Sequence, residues 1–145
     1  MIFLNEILDM KKYAGVIVRK DDKCLFCKRN ANMGSFPGEW SIPGGKVEKG
    51  EGIPHAAQRE FFEETAKELD TPTYFLGVIK RMNREGTNQK GVMYVFGTDV
   101  TEELHPDLEN AKDGEEHTEC GYFGIDELPE PMNDSLRDFV ISFMK

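Results

Sequence analysis

The stretch GEGIPHAAQREFFEETAKEL, residues 50–69, contains five glutamates. Pro54 suits the first turn of a helix, and the alanines that follow it favour helix, so the stretch predicts a helix over residues 54–69. Three of the acids fall in one five-residue window: Glu60, Glu63 and Glu64. Because successive helical residues advance by about 100°, these three carboxylates share an arc of roughly 100° on the helix surface.

The opposite side of this helix is largely apolar, with Phe61, Phe62, Ala66 and Leu69. Like charges at three- and four-residue spacing repel each other, and the apolar side fixes the rotation of the helix against a core. The helix therefore cannot turn to disperse its acids. Two interpretations follow: an acidic face that is only solvated, or an acidic face that binds cations.

Residues around the acids favour the cation-binding interpretation. Arg59 lies beside them, Glu51 precedes them on the incoming loop, and Gly44-Gly45 predicts a turn where the backbone can approach closely and offer a carbonyl. Carboxylates, a backbone carbonyl and water form an all-oxygen ligand set, which Mg²⁺ and Mn²⁺ prefer.

Length and charge narrow the classes of function. The chain has 145 residues, enough for one domain with its own core, a net charge of -9 and a pI near 4.9. An acidic surface disfavours nucleic acid and anionic membranes, but it allows a small anionic substrate when metal ions mediate the contact. Residues 1–12 carry Glu6 and Asp9 and lack a basic start, so we expect no signal peptide. No apolar run approaches the roughly 20 residues that span a bilayer, and we expect a cytoplasmic protein.

The cysteines Cys24, Cys27 and Cys120 are odd in number, so we expect no disulfide framework and a reducing compartment. Cys24 and Cys27 have the spacing of zinc ligands, but no second pair completes a site. They also lie in a predicted strand, where residues three apart point to opposite faces.

The rest of the sequence alternates strand patterns with loops. A long loop over residues 30–45 is rich in Gly and Pro, and loops of this length in a compact domain are usually functional. Asn133 or Asp134 can cap a last helix, whose apolar residues recur at helical spacing. Strands are predicted at residues 13–19, 24–29, 40–42, 74–82, 91–100 and 121–125. These elements indicate an α/β protein with a mixed sheet flanked by helices.

The spacing of Gly45, Glu51, Arg59-Glu60-Phe61 and Glu63-Glu64 resembles the Nudix box of the Nudix hydrolases, G-x5-E-x7-R-E-U-x-E-E-x-G-U, where U is bulky and apolar. The preceding PGEWSIPGG is similar to the lead-in common in that family. Two positions depart from the pattern, Ala66 for Gly and Lys67 for an apolar residue. We expect Ala66 to let the helix continue and Leu69 to supply the apolar contact. The resemblance implies a Nudix-like α/β/α sandwich with a mixed sheet, forming a single domain over residues 1–145.

The resemblance also implies an activity: Mg²⁺-dependent hydrolysis, with Mn²⁺ as a substitute, of a nucleoside diphosphate linked to a moiety X, through attack of a metal-activated water at phosphorus. It implies that Arg59 holds Glu51 and shapes the loop. The implied metal ligands are the Gly44 carbonyl, Glu60, Glu63 and Glu64. The implied catalytic residues are Glu51, Arg59, Glu63, Glu64 and Glu116.

Many family members take one more acid from a later loop. Here Glu116 is the first choice and Glu119 the second, with Glu115 also nearby, although all three acids can equally be solvated loop residues. His117 in the same stretch is interpreted as incidental.

The substrate is less defined by the sequence. Phe36 and Trp40 can stack on a base, although Trp40 is as readily a core residue. Arg29, Arg81 and Arg84 can contact phosphates or ribose. ADP-ribose-like and dinucleoside polyphosphate substrates are ranked first, (deoxy)nucleoside triphosphates second and RNA caps third. A non-catalytic nucleotide-binding module is the alternative of a different class, and a homodimer stays open.

Overall fold

The structure is a computed structural model, and it describes residues 10–34, 36–82 and 85–145. Residues 1–9, most of the stretch in which we expect no signal peptide, and Arg84 lie outside these described residues. Within these described residues, the fold has seven strands, two α-helices and two short 3-10 turns. The strands are β1 (Lys11–Lys20), β2 (Lys23–Arg29), β3 (Trp40–Ser41), β4 (Gly44–Lys46), β5 (Tyr74–Met82), β6 (Gln89–Asp99) and β7 (His117–Gly124). The helices are α1 (Ile53–Thr65) and α2 (Asp134–Met144).

The sheet is mixed, as the sequence predicted. Its main path runs β3-β2-β1-β6-β5, β4 pairs with β1, and β7 pairs with β2. β1 and β6 are parallel, with Lys11 opposite Gly91 and Arg19 opposite Asp99, whereas the other strand pairs are antiparallel.

One helix covers each face of the sheet, because side chains alternate along the central strand. On β1, Ile17 belongs to the core cluster that packs against α2, while Val16 and Val18 belong to the cluster beneath α1. The α2 cluster includes Phe26, Val95, Leu136 and Val140, and the α1 cluster includes Leu25, Ala57 and Phe61. A strand that is buried on both faces accounts for the β-branched run in the sequence.

α1 ends earlier than the sequence predicted. It stops at Thr65, and Ala66 adopts a left-handed conformation with φ of 58°. The expectation that Ala66 lets the helix continue is therefore wrong. Two carbonyl groups of the last turn of α1 accept hydrogen bonds from the loop before β7. Asp107 N–H donates to Thr65 O, and Asp113 N–H donates to Glu63 O. A left-handed residue at this position is the usual helix stop, for which glycine is preferred.

Two other elements differ from the sequence prediction. Gly44 and Gly45, predicted as a turn, belong to β4, which pairs with Gly15 and Ala14 of β1. A side chain at Gly44 would overlap the Ala14 carbonyl, so the close pairing requires glycine there. β7 begins at His117, four residues before the predicted strand.

The predicted N-cap of the last helix is confirmed. The Asn133 side chain accepts hydrogen bonds from the N–H groups of Ser135 and Leu136. These contacts satisfy two of the free donors at the start of α2.

The cysteine prediction is corrected by the pairing of β2 with β7. Cys27 lies directly opposite Cys120 in this pair, and the two sulfur atoms form a disulfide, while Cys24 is free and buried. The two cysteines are 93 residues apart in sequence, so only the strand register brings them together. A cytoplasmic location stays a prediction. In the part of the chain that the structure describes, no helix is long and apolar enough to cross a membrane.

The left-handed Ala66 gives a stability prediction. Ala66→Gly should raise the free energy of unfolding by about 1 kcal/mol, because an L-residue with a side chain is strained in this conformation. For a chain of this size, that gain corresponds to a rise in Tm of about 2–4 °C, measurable by calorimetry.

Gln58→Gly is the matched control, because Gln58 is exposed within the same helix. Glycine at an interior helical position should lower stability by about 0.5–1 kcal/mol. An equal loss from Ala66→Gly would show that Ala66 is helical in solution.

Candidate active site

The acidic residues of α1 are directed to one place by the packing of the helix. Ala56, Ala57 and Phe61 are buried beneath α1 against the sheet. That contact leaves Glu60, Glu63 and Glu64 facing β4 and the 3-10 turn Gly114–Glu116, which precedes β7.

Arg59 links the incoming loop to the acidic face of the helix. Its Nε and one terminal nitrogen donate to the two carboxylate oxygens of Glu51 at 2.7 and 2.9 Å. Its other terminal nitrogen donates to Glu60 and to Glu63, each at 3.0 Å. A further hydrogen bond reaches the carbonyl of Lys46 at the end of β4. One guanidinium therefore ties the end of β4, the loop and the helix together.

Glu51 is fully engaged by this network. It also accepts from the Glu48 N–H at 3.0 Å and lies 2.9 Å from the His55 ring. The Arg59 hydrogen bonds, followed by the backbone bond from Glu48, hold the pKa of Glu51 at about 2. With both oxygens occupied, Glu51 shapes the loop and has little capacity left for another ligand.

The Glu60 carboxylate lies directly over Gly45, the second residue of β4. A side chain at Gly45 would overlap the Glu60 carboxylate, so glycine at this position makes room for the acid. Carboxylate oxygens of Glu60, Glu63 and Asp113 come within 4.8 Å of one another. Burial raises the pKa of Glu60, although Arg59 opposes the rise.

Glu64 is buried, with 2% of its surface exposed. One oxygen, Oε2, accepts a hydrogen bond from the Gly44 N–H at 2.7 Å. Burial raises the pKa of Glu64 well above its ordinary value, and the charges of Glu116 and Glu60 add to the rise. In the absence of a cation, this carboxyl therefore resists ionisation.

His117 stands on the other side of the Glu64 carboxylate. Its Nε2 lies 3.7 Å from Glu64 Oε1, and its Nδ1 is buried without a hydrogen-bond partner. Burial, with the nearby charge of Arg29, lowers the pKa of His117 to about 4. The imidazole is thus neutral at pH 7.

The acids at residues 113–119 separate into two groups, those near the acids of α1 and those away from them. Asp113 joins Glu60 and Glu63, and Glu116 on the adjoining turn is half-buried, with a pKa raised by burial and by Asp113. Glu115 is exposed, and Glu119 pairs with Lys28 within the β2–β7 ladder. Among the three acids that the sequence suggested, Glu116 contributes to the raised pKa of Glu64.

Three features of this site were missed by the sequence analysis. Asp113 joins the acid cluster, Lys112 Nζ lies 3.3 Å from Glu63, and His117, interpreted as incidental, contacts Glu64. Lys112 and Asp113 come from the loop that folds back onto α1 before β7, and His117 is the first residue of β7. The run of acids around them in the sequence was a signal, but nothing in it distinguished Asp113 from its neighbours.

A cavity of about 920 Å³ opens beside the acids. Gly44 lies on its wall, so the cavity adjoins the acidic centre, and Arg29, Phe36, Trp40 and Arg81 line it as well. The substrate-binding residues proposed from the sequence thus share one cavity, apart from Arg84, which is outside the described residues. A cavity of this size accommodates a small molecule.

Two of these residues also have structural contacts. The Arg81 guanidinium lies over the Tyr13 ring at 4.1 Å and over the Phe36 ring at 5.1 Å. Trp40 packs edge-on against Phe123 with ring centroids 5.2 Å apart, next to the α2 core cluster. Trp40 is therefore both a core contact and a cavity wall, while the rings fix the plane of Arg81.

The fold and the site together define a class: an α/β/α sandwich with a loop–helix acidic centre anchored by one arginine. The chain belongs to the NUDIX domain family, whose family model matches residues 10–143.

Similar proteins agree with this assignment. The MutT NUDIX hydrolase from Burkholderia pseudomallei superposes with a TM-score of 0.75 at 25% identity, covering 90% of this chain and 95% of that one. The MutT protein from Methanosarcina mazei has the same TM-score at 22% identity, covering 92% of each chain, and supports the fold. The nucleoside triphosphatase NudI of Salmonella arizonae is 43% identical over 53 residues. That match spans 37% of this chain and 38% of the relative.

The burial of Glu64 gives a pH prediction in metal-free buffer. Glu64→Gln should raise the free energy of unfolding, and its advantage over wild type should widen as pH rises above about 4.5. The reason is that the unfolded chain ionises Glu64 near that pH, whereas the folded chain resists ionisation until the raised pKa is reached. We therefore expect the advantage of Glu64→Gln to be larger at pH 8 than at pH 5.

Denaturant unfolding in EDTA between pH 5 and 8 measures this difference. Glu68→Gln removes an exposed acid just beyond α1 and is the control, with a change within about 0.5 kcal/mol. An advantage of Glu64→Gln that narrows with rising pH would mean that the protein stabilises the ionised form of Glu64.

Proposed function

We propose that this protein is a divalent-cation-dependent pyrophosphohydrolase that cleaves a nucleoside diphosphate linked to a moiety X. The observation that carries the proposal is the meeting of Glu60, Glu63 and Asp113, two of which Arg59 ties to the loop. Gly44, whose N–H holds Glu64, lines the neighbouring cavity. A pyrophosphate would be repelled by carboxylates alone, so cations must lie between the two.

The residues present fit such cations. The donor set is all oxygen, the acids are partly buried, and Gly45 leaves the Glu60 carboxylate unobstructed from the backbone side. Mg²⁺, with Mn²⁺ as a substitute, suits these ligands. We propose Glu60, Glu63, Asp113, Glu64 and the Gly44 carbonyl as the ligands. When bound, the cation neutralises phosphate charge and lowers the pKa of a water.

The remaining residues of the centre act around that site. Arg59 keeps Glu60 and Glu63 together by neutralising part of their repulsion, and Glu51 fixes Arg59. Glu116 is proposed as the general base, because burial and the neighbouring Asp113 raise its pKa toward neutrality. Arg59 itself stays protonated and donates no proton.

The cavity supplies the contacts for the nucleoside. Arg29 and Arg81 offer donors to phosphate or base oxygens, and Phe36 and Trp40 offer ring surfaces. The relative named nucleoside triphosphatase is 43% identical to this chain over 53 residues. This similarity favours (deoxy)nucleoside triphosphates, the substrates that the sequence analysis ranked second. ADP-ribose-like molecules and dinucleoside polyphosphates remain in the proposed range. We also propose that the protein acts in the cytoplasm.

A substrate panel tests the proposal. The protein is incubated with Mg²⁺ and with nucleoside triphosphates, deoxynucleoside triphosphates, ADP-ribose or a diadenosine polyphosphate in ¹⁸O-labelled water. We expect release of a nucleoside monophosphate, with the label in one phosphorus-containing product, and no release in EDTA. Because Glu64 is proposed as a ligand, Glu64→Gln should fold and lose turnover by orders of magnitude.

The same panel distinguishes the alternative of a non-catalytic module. Nucleotide binding without turnover of any substrate would favour that module. Full turnover by Glu64→Gln would instead contradict the assignment of the metal ligands.

A further inference from the structure

The pair of His117 and Glu64 is buried and incomplete. His117 begins β7 opposite Arg29 of β2, at the point where the register of the two strands shifts. Its side chain is 2% exposed, its Nδ1 has no partner, and its Nε2 approaches Glu64 at 3.7 Å, beyond hydrogen-bond distance. Buried polar side chains are nearly always hydrogen-bonded, so an unpartnered imidazole in the core calls for an explanation.

We propose that His117 is a positioning residue, which donates its Nε2–H to Glu64 Oε1 and thereby fixes the carboxylate for its role in the metal centre. This inference rests on the proposed function. Gly44 N–H already holds Oε2 at 2.7 Å, so the two donors grip the carboxylate from both sides.

The chemistry of the two groups sets the direction of this hydrogen bond. An ionised carboxylate only accepts, so His117 must carry its proton on Nε2. Groups that orient a metal-binding side chain typically change metal affinity or activity about 10–100-fold when they are lost.

Substitutions of His117 can distinguish the proposed donor role from a role in filling space. The ring is buried and near the size of phenylalanine, so His117→Phe retains the volume and removes the N–H. His117→Gln retains a donor at similar reach. His105 is the matched control, because its Nε2 also lies 3.7 Å from a glutamate, Glu103, yet both side chains are exposed.

Kinetics and metal binding give the first test. His117→Phe should lower kcat about 10–100-fold, with KM for nucleotide unchanged, and should weaken Mn²⁺ binding measured by calorimetry without substrate. His117→Gln should recover most of both losses, and His105→Gln should match wild type. Wild-type Mn²⁺ affinity and kcat in His117→Phe would overturn the proposal, as would equal losses in the Phe and Gln variants.

Nuclear magnetic resonance of the wild-type protein gives a second test that needs neither turnover nor a folded variant. Imidazole ¹⁵N shifts should show the Nε2–H tautomer of His117 in the presence of Mg²⁺. If His117→Phe folds, its Gly44 amide resonance should shift, because Glu64 is no longer held on its other side. An Nδ1–H tautomer in the wild type would overturn the proposal. Absence of turnover by the wild type would defeat the proposed function, whereas the tautomer would still decide the contact.

Discussion

The Arg59 guanidinium makes the interaction on which the rest of the site depends. It bonds to Glu51 on the loop, to Glu60 and Glu63 on α1, and to the Lys46 carbonyl at the end of β4. Without the positive charge of Arg59, the carboxylates of Glu51, Glu60 and Glu63 would repel each other and separate the loop from the helix. The positive charge of Arg59 offsets only part of that repulsion, because Glu64 and Asp113 also face the centre. In the proposed mechanism, the remaining negative charge is what attracts divalent cations to the site.

The other parts of the fold hold this charge in place. β4 presses two glycines against β1 and leaves room for Glu60, while the apolar face of α1 prevents the helix from turning its acids to solvent. The loop before β7 returns to α1, satisfies carbonyls of its last turn and brings Asp113 to the acids. Raised pKa values of Glu60, Glu64 and Glu116 share one main cause, burial. A cation is the partner that makes burial of these ionised groups favourable.

Local patterns in the sequence predicted what depends on neighbours along the chain. The β-branched run of β1, the arc of acids on α1 and the Asn133 cap follow from spacing and residue type. What the sequence did not predict depends on distant partners. Asp107 and Asp113 help to end α1 at Thr65, the register of β2 with β7 joins Cys27 to Cys120, and the same strand brings His117 to Glu64. These contacts require knowledge of how β7 folds back, which no local pattern contains.

Mn²⁺ added to ¹⁵N-labelled protein tests most directly whether the crowded acids hold cations. Mn²⁺ broadens the resonances of nearby nuclei, so the account predicts that substoichiometric Mn²⁺ broadens the amides of Gly45, Glu60, Glu63 and Asp113 first. Asp113→Asn should reduce this broadening, whereas Asp107→Asn, which changes an acid of the same loop outside the cluster, should not. The chain has a net charge of -9, so other acids could also attract Mn²⁺. Broadening centred on acids outside this cluster would contradict the account. Equal effects of Asp107→Asn and Asp113→Asn on the broadening would contradict it as well.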